Sequence, residues 1–296
     1  MPVFRSTALI QAPPRTVAGL LRDTELTEAA LRRDGHRLDA DARLLAPGSE
    51  VRLSVRLLPA LSVPVRLVVE AVSEQELTAV STAGPLRWLR HRLTLTPTGA
   101  GTLVLDELAW TSPYGPLGRA VDVALLRRLV LRAQAARLAL LATRAAAVAD
   151  GPVVVATAVR RDGRLLIAQR TRPPALAGRW ELPGGRVEPG ESEPAAVRRE
   201  CREELGVSVL VRGRIGTDLP MAPGLLRVHL AELAPDTPEP RPLEHAELRW
   251  VGPDELAEID WVDVDRAVLA DLVTQLGRPN AAPASDRAAE MTGDAV

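Results

Sequence analysis

From Gly185 to Val207 the chain carries Gly185, Glu191, Arg199, Glu200, Glu203, Glu204 and Gly206 in the pattern G-x5-E-x7-R-E-U-x-E-E-x-G-U, where U is apolar. That register constrains the fold more than any other segment. A helix starting near Ser192 gathers Glu200, Glu203 and Glu204 at i, i+3 and i+4, so their carboxylates share one face. Val197, Cys201 and Leu205 recur at i, i+4 and i+8; they form an adjoining stripe that can bury against a sheet. Arg198 and Arg202 point away from both. Like charges one turn apart repel by roughly 0.2–0.5 kcal/mol per pair unless a cation lies among them. Arg199, four residues before Glu203, is one such cation.

A hard divalent ion such as Mg2+ is another. It prefers carboxylate oxygens, keeps several waters and also binds substrate phosphates. Pro183-Gly184-Gly185 permits a tight backbone approach, so a main-chain carbonyl can face the metal. Acidic helix faces are common on solvated helices, and three glutamates alone carry little meaning. It is their register with Gly185, Glu191, Arg199 and Gly206 that sets this segment apart from a solvated acidic face.

The length of 296 residues suggests two domains, and an apolar fraction of 46% can supply a core to each. A formal charge of -1 gives no global pull toward nucleic acid or an anionic membrane. The chain has no lysine, so phosphate contacts must come from arginine forks, backbone amides and metal. Scarce aromatics argue against stacking platforms for single-stranded nucleic acid. Cys201 is the single cysteine; it sits in an apolar slot of the pattern and reads as packing. The first residues lack a charged segment followed by an apolar run, so no signal peptide is expected. The most apolar stretch, about Ala120 to Leu141, is interrupted by Arg127, Arg128, Arg132 and Arg137, which excludes a membrane span there. The expected location is cytoplasmic.

A junction is expected at Ala145–Pro152, dividing the chain into domains 1–147 and 148–277, with a small, polar and disordered tail over 278–296. Downstream of it, strands are expected at Val153–Val159, Leu165–Arg170, about Val207–Val211, Leu225–Leu233 and Glu247–Val251. A final helix is expected from about Val264 to Leu276. Upstream, Val51, Leu53, Val55 and Leu57 alternate with polar residues as a half-buried strand. Leu89–Leu95 and Thr102–Trp110 flank a Gly-rich turn as a hairpin, and a long helix follows Pro116 to about Arg144.

The acidic pattern resembles the Nudix box, and Val153–Leu276 resembles the MutT-like branch of the Nudix hydrolases. Further resemblance lies in Leu166-Ile-Ala-Gln-Arg-Thr-Arg172, Gly178-Arg-Trp-Glu-Leu-Pro-Gly-Gly185, Glu244-His-Ala-Glu-Leu-Arg-Trp250 and Ile259-Asp-Trp-Val-Asp-Val-Asp265. The resemblance implies an α/β/α sandwich around a mixed sheet. It also implies hydrolysis of a nucleoside triphosphate, an oxidised guanine or a cytosine nucleotide, to monophosphate and pyrophosphate, a nucleotide-pool sanitation activity. Glu200, Glu203 and Glu204 would form the Mg2+ (or Mn2+) cluster with the Gly184 carbonyl. Glu244 matches a further loop carboxylate, and either Glu244 or Glu200 would orient or deprotonate the water. Arg170 matches a phosphate-binding arginine, with Arg186 in support. Asp265 stands where the family has a base-reading asparagine; it either reads the base as an acceptor or caps the final helix.

The first half resembles the START-like, polyketide-cyclase-like helix-grip family through Ala12-Pro-Pro14 opening a helix and Asp106–Leu117 leading into the last one. That implies an antiparallel sheet wrapped around a long C-terminal helix with an apolar cavity, making the whole an α+β two-domain chain. His91, Glu50, Glu70 and Asp106 are candidates to line the cavity, without a catalytic role. Two other functions remain open: hydrolysis of a nucleotide sugar or ADP-ribose, and ligand sensing in which the first half binds a lipid or polyketide.

Overall fold

The computed structural model describes residues 2–86, 88–111, 126–222 and 224–277. The first half is built on seven antiparallel strands: β1 (Val3–Ile10), β2 (Arg37–Ala40), β3 (Glu50–Leu58), β4 (Leu61–Val72), β5 (Glu76–Ala83), β6 (Trp88–Thr98) and β7 (Gly101–Thr111). Their spatial order is β1-β7-β6-β5-β4-β3-β2. Two helices, α1 (Pro14–Arg22) and α2 (Thr24–Arg32), lie between β1 and β2 in sequence. Proline at the first position of α1 suits a helix start, where its missing N–H costs nothing. The long helix α3 (Arg127–Ala149) brings Leu138, Leu141 and Ala145 onto the sheet beside Leu77, Leu93 and Val104. Its expected first turns, after Pro116, fall in 112–125, outside the described residues, as does the expected tail at 278–296.

The second half holds a mixed sheet. Its strands are β8 (Val153–Arg161), β9 (Arg164–Gln169), β10 (Trp180–Glu181), β11 (Gly184–Arg186), β12 (Val209–Pro220), β13 (Leu225–Leu233) and β14 (Glu247–Val251). The main order is β10-β9-β8-β13-β12, with β11 on β8 and β14 on β9. The β8–β13 pair is parallel. Both faces are covered, which is why β8 reads as an unbroken apolar run rather than an alternating one. On one face, helix α4 (Glu193–Leu205) buries Val197, Cys201 and Leu205 against Val155, Val159 and Leu166. On the other, Ala156, Leu165 and Ile167 meet Trp261, Val268 and Leu272.

The expected final helix is in fact two. Asp263–Arg266 forms α5 and Leu269–Leu276 forms α6, with Val268 between them at φ -102°, ψ 3°. Nothing local breaks this stretch; the Ala267 carbonyl at the break is taken by the guanidinium of Arg22, 245 residues away. The two halves are in intimate contact there. A Cβ on Gly19 would stand 1.6 Å from the carbonyl oxygen of Asp218. The Thr16 hydroxyl donates to Asp218 Oδ2 (2.8 Å), and Leu44 joins the apolar core of the second half. Among the described residues no helix is long and apolar enough to cross a membrane.

Candidate active site

Helix α4 is fixed at both ends by local chemistry. Ser192 is the N-cap and accepts from the Ala195 amide, while Gly206 ends the helix at φ 70°, a conformation glycine adopts without steric cost. Past the first turn, Arg199 works as a clasp. It donates to both Glu191 oxygens (3.1 and 3.0 Å), to Glu200 Oε1 (2.9 Å), to Glu203 Oε2 (3.1 Å) and to the Arg186 carbonyl (2.8 Å). Glu191 in turn accepts from the Glu188 amide, closing the loop before the helix. Glu191, Glu200 and Glu203 of the acidic pattern thus converge on one guanidinium.

The three glutamates are presented differently. Glu200 lies under Arg199, so close to Gly185 that a Cβ there would fall 2.2 Å from its Oε1. Burial raises its carboxyl above the ordinary value. Glu204 accepts from the Gly184 amide at 2.8 Å, and burial raises its carboxyl to about 7, partly offset by His245. Glu203 is half exposed. Gly184 itself, at φ 155°, is pressed so closely onto β8 that a Cβ would lie 2.1 Å from the Val155 carbonyl oxygen. Only glycine can pass there.

Among the described residues no three acidic, histidine or cysteine groups are arranged as a metal-ion cage. The donor chemistry nevertheless suits a hard cation. Two carboxylates, Glu200 and Glu204, are partly desolvated beside a glycine turn, and a divalent ion would offset the cost of their charge. Cys201 is fully buried, and desolvation pushes its thiol up to about 12, so it packs rather than reacts.

Arg170 points its guanidinium at Glu181 and at the Arg172 carbonyl (3.1 Å). Arg186 is exposed at the end of β11. Glu244 lies on an exposed loop with Arg172 at 3.7 Å. Asp265 is buried, and its Oδ2 accepts from the Leu182 amide at 2.9 Å. It is not a helix cap, since the N-caps of α5 and α6 are Val262 and Val268, neither with a side-chain cap bond. Burial raises its carboxyl to about 7, with Glu181 adding to the effect and the Leu182 amide and Arg170 opposing it.

Two groups that the sequence reading left without a role join this cluster. Glu181 accepts from Arg170 and meets His245 Nε2 at 3.3 Å, and the His245 side chain is buried. Glu181 sits next to the Leu182 amide that Asp265 holds, and its charge acts on both Glu204 and Asp265. Its only sequence signal is membership of the Trp180–Gly185 segment. In the first half, His91 and Asp106 do line a cavity, whereas Glu50 and Glu70 are exposed. The strand parity explains this: Val51, Val65, Leu67 and Val69 point inward, so Glu50 and Glu70 point outward.

Residues 150–272 match the family model of the NUDIX domain. A Mycobacterium tuberculosis protein named "Putative 8-oxo-dGTP diphosphatase 2" is 47% identical over 128 residues, covering 42% of this chain and 89% of that protein. The CTP pyrophosphohydrolase of Escherichia coli K12 is 34% identical over 128 residues, covering 43% of this chain and 95% of the relative. Among solved structures, the solution structure of the E. coli ORF135 protein is 32% identical, with a TM-score of 0.38; it covers 43% of this chain and 91% of that one.

Proposed function

The chain belongs to the Nudix family through its second half, and from that premise we propose that it is a divalent-metal-dependent pyrophosphohydrolase of a nucleoside triphosphate. The observation that carries the reading is the α4 frame: Arg199 clasps Glu191, Glu200 and Glu203, while Glu204 closes onto the Gly184 amide. Glu200, Glu203 and Glu204, with the Gly184 carbonyl and Glu244 from its exposed loop, would hold Mg2+ or Mn2+. When bound, the metal polarises phosphoryl oxygens and lowers the pKa of the attacking water. Glu244 or Glu200 takes the proton of that water. Arg170 and Arg186 bind phosphate oxygens through planar guanidinium forks. Asp265, anchored by the Leu182 amide through one oxygen, offers the other to the base. An acceptor there favours the amino group of cytosine or the N–H and amino groups of an oxidised guanine.

The products are then a nucleoside monophosphate and pyrophosphate, and the setting is the cytoplasmic nucleotide pool. The names of two relatives, an 8-oxo-dGTP diphosphatase and a CTP pyrophosphohydrolase, support both base classes. A nucleotide sugar or ADP-ribose is the weaker substrate class, because no additional specificity residues are recognised after the box. The test is product release from a panel of nucleoside triphosphates with Mg2+. Cytosine or 8-oxoguanine nucleotides should exceed thymidine triphosphate by roughly tenfold or more in kcat/KM, a modest demand for a site that hydrogen-bonds its base. Equal rates for all bases refute the role of Asp265, and no release from any of them refutes the substrate class.

A second reading concerns residues 1–147, which we assign as a helix-grip domain that binds an apolar small molecule. It rests on a cavity of about 200 Å³ lined by Leu53, Val55, Leu89, Leu93, His91 and Arg137, among others. One wall of it is polar. Asp106 pairs with Arg137, lies 3.0 Å from His91 and accepts from Gln134 at 2.9 Å. Burial disfavours its charge, but Arg137 and His91 outweigh that and hold the Asp106 carboxyl well below the usual range. An apolar chamber with one oriented polar cluster suits a lipid- or polyketide-like ligand. Retention of such a compound by the full chain, lost when Leu93→Trp fills the chamber, tests the assignment.

A further inference from the structure

We propose that Arg22, on the first helix of the N-terminal half, is a positioning residue for the nucleotide site, holding the α5 segment and through it Asp265. The proposal rests on the reading of Asp265 given above, but its structural part can be tested without any nucleotide. Arg22 is only 1% exposed and lies across the contact between the halves. Its Nε donates to the Leu45 carbonyl (2.7 Å), its Nη1 to the Thr217 hydroxyl (2.8 Å), and its Nη2 to the Ala267 carbonyl. The first partner belongs to its own half and the other two to the second. The guanidinium therefore spans the junction with a fork of fixed geometry, which a lysine ammonium cannot reproduce.

Ala267 is where this contact matters. It is the C-cap of α5, whose third residue is Asp265, and the Val268 amide donates back to the Asp265 carbonyl at 3.1 Å. A carbonyl at a helix C-terminus lacks an intrahelical partner, and a cation there also offsets the partial negative charge of the helix end. Arg22 supplies both. Four residues further on, half-buried Asp271 interacts favourably with the Arg22 charge. Asp265 meanwhile holds the Leu182 amide, two residues before Gly184, whose own amide donates to Glu204. A continuous set of contacts thus runs from the N-terminal half to the base-reading carboxyl and on to the box helix. Thr16 and Gly19 meet the same surface through Asp218 instead. They serve as an internal control.

The experiment compares full-length wild type, Arg22→Met, Arg22→Lys and Thr16→Val. Amide hydrogen exchange without nucleotide reports on α5. The proposal expects faster exchange at Ala267 and Val268 in Arg22→Met, an intermediate rate in Arg22→Lys, and wild-type rates there in Thr16→Val. In steady-state assays Arg22→Met lowers kcat/KM for the preferred base by roughly tenfold or more, the scale of a small misplacement of a binding group. The preference over thymidine triphosphate narrows with it, whereas Thr16→Val keeps the wild-type ranking. Unchanged exchange at Ala267 and Val268 overturns the proposal. So does an unchanged base ranking in Arg22→Met, since a merely structural arginine would alter stability and leave specificity intact. Should Arg22→Met fail to fold, Arg22→Lys decides both readouts. A wild type that shows no base preference sinks the reading of Asp265, while the exchange data still report whether Arg22 holds α5.

Discussion

Replacing Asp265 by asparagine should change stability in a direction that depends on pH. The carboxyl is buried at 3% exposure, and burial raises it from its ordinary value of 3.8 to about 7. That displacement corresponds to roughly 4 kcal/mol between the protonated and ionised forms. The folded protein therefore binds this proton more tightly than the unfolded chain. The group's contribution is fully present below about pH 4 and declines as pH rises, with the loss complete once pH passes about 7. Asparagine keeps an acceptor for the Leu182 amide and cannot ionise, but it buries an extra N–H donor pair that costs about 1–3 kcal/mol if unpaired. The balance makes Asp265→Asn about 1–3 kcal/mol less stable than wild type near pH 4 and about 1–3 kcal/mol more stable near pH 8. Urea unfolding at a series of pH values measures both limits. A stability difference that stays constant from pH 4 to pH 8 would refute the reasoning, because it would mean that Asp265 titrates normally.

Three further outcomes follow from the site. Glu204→Gln, which keeps the size of a side chain buried against the Gly184 amide, should lower kcat by about a hundredfold or more with little change in the melting temperature; stopped assays and calorimetry on the same sample check both. Gly185→Ala should also lower activity, since its Cβ would lie 2.2 Å from Glu200 Oε1 and that carboxylate must move; normal kcat/KM at every Mg2+ concentration would show that the position of Glu200 is immaterial. Asp265 should also give the base preference a pH dependence, because its carboxyl is raised by burial to about 7. Above that value it only accepts hydrogen bonds, and below it can donate, so cytosine over thymine discrimination should narrow as pH falls from about 8 to about 6.

The second half was legible where the signal is local. Ser192 and Gly206 bound the box helix as its sequence predicts, and β13 and β14 occupy the expected Leu225–Leu233 and Glu247–Val251. The Val197, Cys201 and Leu205 stripe is buried because helical spacing alone selects that face. What escaped were contacts between distant residues. His245 and Glu181 are 64 positions apart, and Arg22 and Ala267 are 245 apart. The break between α5 and α6 lies in Arg266-Ala-Val-Leu269, which contains no glycine or proline to announce it. The exposure of Glu50 and Glu70 could have been read from the strand alternation, since each adjoins an inward-facing valine. Residue spacing places the three carboxylates on one helix face but does not express their partners: Glu200 and Glu203 share the Arg199 guanidinium, while Glu204 accepts from the Gly184 amide.

Metal-dependent cleavage of a nucleoside triphosphate by the frame built on Arg199, Glu200 and Glu204 can be followed by phosphorus NMR of the full-length protein with CTP and 8-oxo-dGTP, with Mg2+ and then with excess EDTA. Monophosphate and pyrophosphate should be the only products for at least one of the two substrates, absent in EDTA and nearly absent in Glu204→Gln. Release of inorganic phosphate and a nucleoside diphosphate, or undiminished turnover in EDTA, would contradict it.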